Sequence, residues 1–263
     1  MSVLFGIRLF AAPALIGLAS LAGKRWGPNA AGFIGGLPLV GGPVILALWL
    51  SQGEEAAGKA ASAAPVGVWA TMIYLLVVGY ASARWRWYFA IPLGWICYLA
   101  AQWTLHEAGF AMSQKLGLAV LPGLWLAATR WLPKPAAATG PAHLPNIELG
   151  ARMCAAVALV FSLTAVSSRI GPDLTGMLSG APVAATVIPA FTLANAGRDA
   201  LLIALRGFLT GLAGFAVFFL VMGDGIQSLG VLVLIPAIIM AVVAALILRA
   251  LIWRSLVARN HVA

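Results

Sequence analysis

Four arginines in a strongly apolar chain are the residues best suited to attract an anionic ligand. Arg25 and Arg169 each precede an expected helix start, where a cation opposes the helix macrodipole and a nearby anion would relieve the repulsion. Arg8 and Arg152 lie about one and a half turns inside apolar segments, so each side chain could reach a membrane interface or take part in gating. We therefore predict anion binding by Arg25 and Arg169, with a solvated loop position as the alternative.

The acidic residues are weaker candidates for a functional role than the arginines. Glu55 and Asp199 occupy corresponding positions ahead of apolar segments, where they could begin the next helix or take part in coupling. No acidic residue is well inside an apolar segment, which argues against ion coupling through a central carboxylate. The sequence has no HExxH, Gly-x-Ser-x-Gly, phosphate-loop or metal-spaced His/Cys pattern, so we expect no enzyme activity, metal or cofactor.

A glycine and proline motif occurs twice, as Gly27-Pro28-Asn29-x-x-Gly32-x-x-x-Gly36-x-Pro38 and Gly171-Pro172-Asp173-x-x-Gly176-x-x-x-Gly180-x-Pro182. The last proline lies ten residues into its helix (38 − 28 = 10), about 15 Å along and near the middle of a bilayer core roughly 30 Å thick. Paired interruptions at this depth are typical of transporters with inverted repeats. The predicted substrate site consists of Gly36, Pro38, Gly180 and Pro182.

The two prolines should also remove backbone hydrogen bonds from their helices. Proline has no N–H, so Pro38 and Pro182 should leave the carbonyls of Ile34 and Leu178 without their helical donors. In lipid, such backbone must be buried in protein or line a wet cavity. For the glycines, close packing of helices through small residues is the alternative role.

The composition indicates an integral membrane protein. Of 263 residues, 62% are hydrophobic and 9% are charged, against about a quarter charged in an ordinary soluble domain. Basic residues stand singly or in pairs between apolar stretches, so the net charge of +9 indicates membrane topology and not nucleic-acid binding. Cys97 and Cys154 fall inside apolar segments and should serve packing. Usage rich in Arg and Ala favours a bacterial inner membrane.

An internal repeat organises the chain. Arg25-Trp26-Gly27-Pro28 recurs as Arg169-Ile170-Gly171-Pro172, an offset of 169 − 25 = 144 residues. We predict an all-α polytopic protein with about nine transmembrane helices, at 3–22, 30–50, 65–83, 87–105, 116–132, 149–167, 174–194, 201–222 and 228–251. Residues 1–110 form the first four-helix repeat, 111–145 a linker helix and cytoplasmic loop, and 146–263 the second repeat.

The charge distribution predicts an external N-terminus and a cytoplasmic C-terminus. The outer side then keeps Arg8, Lys59, Lys115 and Arg169, and the cytoplasmic side receives 16 − 4 = 12 basic residues, as the positive-inside rule requires. The fifth segment decides the arrangement, because the repeats are inverted if it crosses and parallel if it lies in the interface. We favour crossing. Expected partners are membrane lipids and a small-molecule or anionic substrate, and a homodimer is compatible with the sequence.

Lys24-Arg25, followed by Gly27, Ala31-Gly32 and Leu37-Pro38, resembles the first-to-second helix region of small GlpM-like bacterial inner-membrane proteins. The resemblance implies a fused duplication of a four-helix unit and transfers no binding residue. The order of four helices, a linker helix and four helices is also similar to that of fused fluoride channels. We expect a transporter of a small molecule or lipid intermediate. A passive channel for ions or small solutes, and an accessory protein of envelope-polymer synthesis, are the alternatives.

Overall fold

The computed structural model describes residues 3–38, 41–109, 114–137, 140, 145–167 and 181–260. These residues form helices and no strand, in agreement with the predicted all-α class. The helices are α1 (Val3–Trp26), α2 (Pro28–Gly35), α3 (Gly41–Gln52), α4 (Glu54–Ala81), α5 (Trp87–Glu107), α6 (Gln114–Trp131), α7 (Asn146–Ser167), α8 (Val183–Leu229) and α9 (Leu234–Asn260), with a short 3-10 helix, Gly230–Val233, before α9.

Two predicted segments, 30–50 and 65–83, have different helix limits in the structure. Segment 30–50 is divided, because α2 ends and α3 begins on either side of Pro38. The described part of segment 174–194 and segment 201–222 both lie in α8, on either side of the non-helical residue Gly197. Helix α4 begins 11 residues (65 − 54) before the predicted start, since its alanine-rich first part has high helix propensity but modest hydropathy.

Two glycines at corresponding repeat positions bend the chain in the same way. Gly53 separates α3 from α4 with φ 88° and ψ −178°. Gly197 bends α8 with φ 81° and ψ −177°. A side chain would be strained at these positive φ values, so both bends favour glycine. The two positions are 197 − 53 = 144 residues apart.

Helix α4 and the part of α8 after Gly197 lie at the centre of the bundle and run antiparallel. Gly58, near the start of α4, lies against Ile226, near the end of α8. Gly79, near the end of α4, lies against Leu205. Most side chains of both segments are buried, so this pair forms the core on which the other helices pack.

Helices α1 and α7 also run antiparallel. Arg152, six residues after the start of α7 (152 − 146), donates a hydrogen bond to Ser20, six residues before the end of α1 (26 − 20). Met153 packs against Gly17 beside this contact. The start of α7 therefore lies against the end of α1, and the two helices run in opposite directions.

Basic residues gather at one end of the bundle. The ends of α4 and α6 meet there, because Tyr80 Oη donates to the Trp131 carbonyl at 2.6 Å. Arg206 lies in α8 near the bend at Gly197, and its guanidinium donates to the Leu132 carbonyl at 2.8 Å. Trp125 of α6 donates to the Leu209 carbonyl at 2.6 Å, so α6 runs antiparallel to α8 and alongside α4. The basic residues on these connected segments are Arg84, Arg86, Arg130, Lys134, Arg198 and Arg206.

Large apolar side chains remain on the outer surface of the bundle, and they include Ile96, Leu99 and Trp103 of α5 and Ile235, Ile238, Ile239 and Ile247 of α9. Within the described ranges, two helical stretches, Glu54–Ala81 and Val183–Ile252, are long and apolar enough to cross a membrane. Their length and composition weakly indicate membrane association.

Candidate functional site

A small central cavity lies where the first glycine and proline motif meets the end of the second. Its volume is about 30 Å³, room for one or two waters. Gly35, Gly36 and Leu37 line it from the interruption between α2 and α3, and Ala181 and Pro182 line it from the start of α8. The remaining lining includes Thr71 of α4 and Phe208, Leu212 and Phe215 of α8. The cavity is therefore mainly apolar.

The structure brings together two of the four residues of the predicted site. Gly36 and Pro182 line the same central cavity although 146 residues (182 − 36) separate them. Pro38 lies two residues beyond Gly36 in the interruption. Gly180 lies outside the described residues.

The Ile34 carbonyl lacks its helical donor at Pro38, as predicted, but it is not left unsatisfied. The Leu37 N–H donates to the Ile34 carbonyl at 3.1 Å, in a tighter turn than an α-helix. The Gly36 N–H donates to Gly32 at 2.8 Å, and the Pro38 carbonyl accepts from Gly42 at 3.1 Å. Three carbonyls at the interruption, those of Gly32, Ile34 and Pro38, therefore have backbone donors. Leu178, the corresponding residue of the second motif, lies outside the described residues.

The glycines of α2 hold it against α8. A Cβ on Gly32 would overlap the carbonyl oxygen of Ala204, and a Cβ on Gly36 would lie 2.9 Å from the Cα of Gly211. The contact is reciprocal, since Gly207 and Gly211 of α8 face the backbone of α2 as closely. Gly36 therefore combines the alternative role, close packing, with a place in the cavity wall.

A polar cluster fixes the start of α8 beside the cavity. The Thr186 hydroxyl donates to the Pro182 carbonyl at 2.6 Å. The Thr186 hydroxyl oxygen also accepts hydrogen bonds from Tyr74 Oη at 3.2 Å and Trp95 Nε1 at 2.9 Å. These bonds join α4, α5 and α8 around the carbonyl of Pro182. Sequence reasoning missed all three side chains, because isolated Thr, Tyr and Trp residues in apolar segments carry no spacing signal.

Arg25, one of the two predicted anion-binding arginines, does not line the central cavity. Arg25 is exposed, and its guanidinium lies over the Trp26 ring at 5.8 Å from the centroid. Arg169 is outside the described residues, as is the side chain of Arg8, whose backbone belongs to α1. A role for Arg25 and Arg169 in attracting anions stays a prediction.

Arg152 is buried, with a relative exposure of 6%. Its Nη2 donates to the Glu148 carboxylate at 2.6 Å and its Nε donates to the same oxygen at 3.1 Å. The guanidinium also lies over the Phe191 ring at 5.5 Å. Sequence reasoning placed Arg152 at a membrane interface and overlooked Glu148, although the i, i+4 spacing of Glu148 and Arg152 is a readable signal for a helix pair.

The two acidic candidates have structural partners. Glu55 forms an exposed ion pair with Lys59 at 2.8 Å, one turn along α4. Asp199 accepts backbone hydrogen bonds from Ala136 at 2.9 Å and Ala137 at 3.2 Å, which ties the segment after α6 to α8. Both residues lie two positions after a glycine with positive φ, near the start of a helical stretch, but neither of these contacts caps a helix, and neither carboxylate lines the central cavity.

Comparisons of the chain with protein-family models, curated proteins and solved structures found no match. Over the described part of the chain, His, Cys, Asp and Glu side chains form no group that could hold a metal ion. The central cavity and the helices around it must therefore carry the functional argument.

Proposed function

We propose that this protein is a multi-pass transporter of a small molecule or lipid intermediate in a bacterial inner membrane. Its two halves are inverted copies, related to a duplicated GlpM-like unit, and the substrate passes between them where the helix interruptions meet. The observation that carries the proposal is the shared wall of the central cavity, which Gly36 and Leu37 of one motif and Ala181 and Pro182 of the other form together.

Antiparallel packing of corresponding helices supports inversion. The contacts of Gly58 with Ile226 and of Gly79 with Leu205 give the same sum of residue numbers, 58 + 226 = 284 and 79 + 205 = 284. A constant sum is what antiparallel packing of two helices requires, and inverted copies would place these two corresponding helices antiparallel. The matching bends at Gly53 and Gly197 add backbone support for the duplication.

The end of the bundle that carries Arg84, Arg86, Arg130 and Lys134 supports the predicted orientation. Basic residues face the cytoplasm in polytopic proteins, so this end would be cytoplasmic. Glu54 lies at the other end of α4, where it contacts Gly230. Exposed isoleucines along α9 suit a lipid environment better than water, since soluble monomers seldom expose large apolar patches.

The small volume of the central cavity favours a gated transporter over a passive channel. Between the described residues, about 30 Å³ with mainly apolar walls has room for one or two waters and not for a continuous column in this conformation. Transport then requires movement of the halves against each other. The glycine bends and the interruption between α2 and α3 are the places where the backbone could absorb it.

The proposal is tested by deletion of the gene followed by untargeted metabolite and lipid analysis of the cells. The compound that accumulates or disappears is then loaded into vesicles that contain the purified protein. We expect saturable flux that unlabelled compound competes. Flux that rises linearly with concentration would identify a channel, and no flux despite a clear deletion phenotype would identify an accessory protein.

A further inference from the structure

A second cavity lies beside Arg152, at the junction of α1, α7 and α8. Its volume is about 150 Å³, well above the 10–15 Å³ or so that one water needs. Buried polar residues form its floor, namely Ser20, Arg152 and Thr192. Exposed residues form its rim, namely Lys24, Asn195 and Ala196. We call this the Arg152 cavity.

The charged groups that line the Arg152 cavity give it a net charge of +1. Lys24 and Arg152 are positive and Glu148 is negative. Glu148 lies in the first turn of α7, where the helix macrodipole stabilises an anion, and it holds Arg152 by two hydrogen bonds. An incoming ligand therefore meets an arginine held by Glu148 and an exposed lysine.

Arg152 keeps donors for a ligand. A guanidinium has five N–H groups. Two bonds go to Glu148, and a third goes to Ser20 at 3.4 Å, the long end of the hydrogen-bond range. Among the described residues these three are the hydrogen bonds of Arg152. One N–H of Nη1 and one N–H of Nη2 therefore remain for an acceptor in the cavity.

We propose that the Arg152 cavity binds the phosphodiester headgroup of an anionic phospholipid. A phosphodiester carries one negative charge, which balances the charge of the cavity, and its oxygens fit the planar donors of arginine. Leu21 is exposed on α1 one turn before Lys24, and exposed Leu18 precedes it. Acyl chains leaving the cavity along α1 would contact these leucines, which favours a lipid over a free anion.

Native mass spectrometry of the full-length protein with added phosphatidylglycerol or phosphatidylcholine tests the site. We expect one phosphatidylglycerol per chain to be retained in preference to phosphatidylcholine. Lys24→Gln should weaken phosphatidylglycerol binding about fivefold, because it removes one surface charge. Arg152→Lys should weaken it about tenfold, because lysine lacks the planar pair of N–H donors of arginine. Lys134→Gln, a matched change of an exposed lysine outside the cavity, should leave binding near wild type.

Two results would overturn the proposal. One is an equal loss of binding in Lys24→Gln and Lys134→Gln, which would mean general attraction of anionic lipid to the basic end. The other is displacement of phosphatidylglycerol by soluble glycerol phosphate at similar concentration, which would mean a site for a free anion. Thermal unfolding of each variant checks its fold. Lys24 is exposed, so its variant keeps the test decisive if Arg152→Lys is unstable.

Discussion

Gly32→Ala should destabilise the protein by about 3 kcal/mol, the upper part of the usual range for an overpacked core. The added methyl would overlap the carbonyl oxygen of Ala204, and that oxygen belongs to helical backbone that cannot move aside. Helix α2 would have to separate from α8, which would also open the wall of the central cavity. Thermal unfolding in detergent measures the change.

Gly123→Ala is the matched control for this prediction. Gly123 lies inside α6, and a Cβ there would meet no atom within 4 Å. Alanine has the higher helix propensity, so this variant should gain about 0.5–1 kcal/mol. If Gly32→Ala unfolds at the same temperature as wild type, α2 and α8 are not packed through their glycines.

Replacing Pro38 and Pro182 together with alanine should lower transport by about tenfold or more, equivalent to at least about 1.4 kcal/mol in the barrier. Alanine at position 38 supplies an N–H for the Ile34 carbonyl, so α2 and α3 can join into one helix. Gly36 and Leu37 would then leave the cavity wall. The fold should survive, because Pro38 is only partly buried, the buried Pro182 is replaced by another small apolar side chain, and each alanine supplies a backbone N–H for a helical hydrogen bond.

The proline experiment compares flux in vesicles with thermal stability in detergent for the same preparations. Pro122→Ala serves as control, since Pro122 is an exposed proline inside α6, away from the central cavity. It should transport normally. Normal flux through the stably folded Pro38→Ala/Pro182→Ala variant would show that the interruptions serve packing only.

The glycine and proline motif was readable in sequence because each of its residues restricts the backbone. Pro38 removes a helical donor next to two flexible glycines, Gly35 and Gly36, and the structure has the interruption there. The sequence does not predict whether the Ile34 carbonyl finds another donor, because Pro38 is compatible both with a tight turn that supplies one and with an unsatisfied carbonyl. Tertiary packing of the turn selects between them.

The partners of buried polar groups could not be predicted either. Tyr74, Trp95 and Thr186 meet only after α4, α5 and α8 are packed, and no local pattern links positions 91 or 112 residues apart. The Glu148 and Arg152 pair is local, but the depth of the pair depends on α1, which covers it. Sequence pattern therefore gave the helices and the backbone breaks, and packing determined the polar contacts.

Inversion of the two halves is tested most directly by labelling a pair of corresponding positions. Asn29 is exposed next to the start of α2, and its repeat partner Asp173 (29 + 144) lies outside the described residues. Single cysteines at these positions, in a background with Cys97→Ser and Cys154→Ser, would be treated in intact cells with a membrane-impermeant thiol reagent. Cysteine at 173 should react at once, and cysteine at 29 only after the membrane is permeabilised. Reaction of both from the same side would contradict the inverted arrangement.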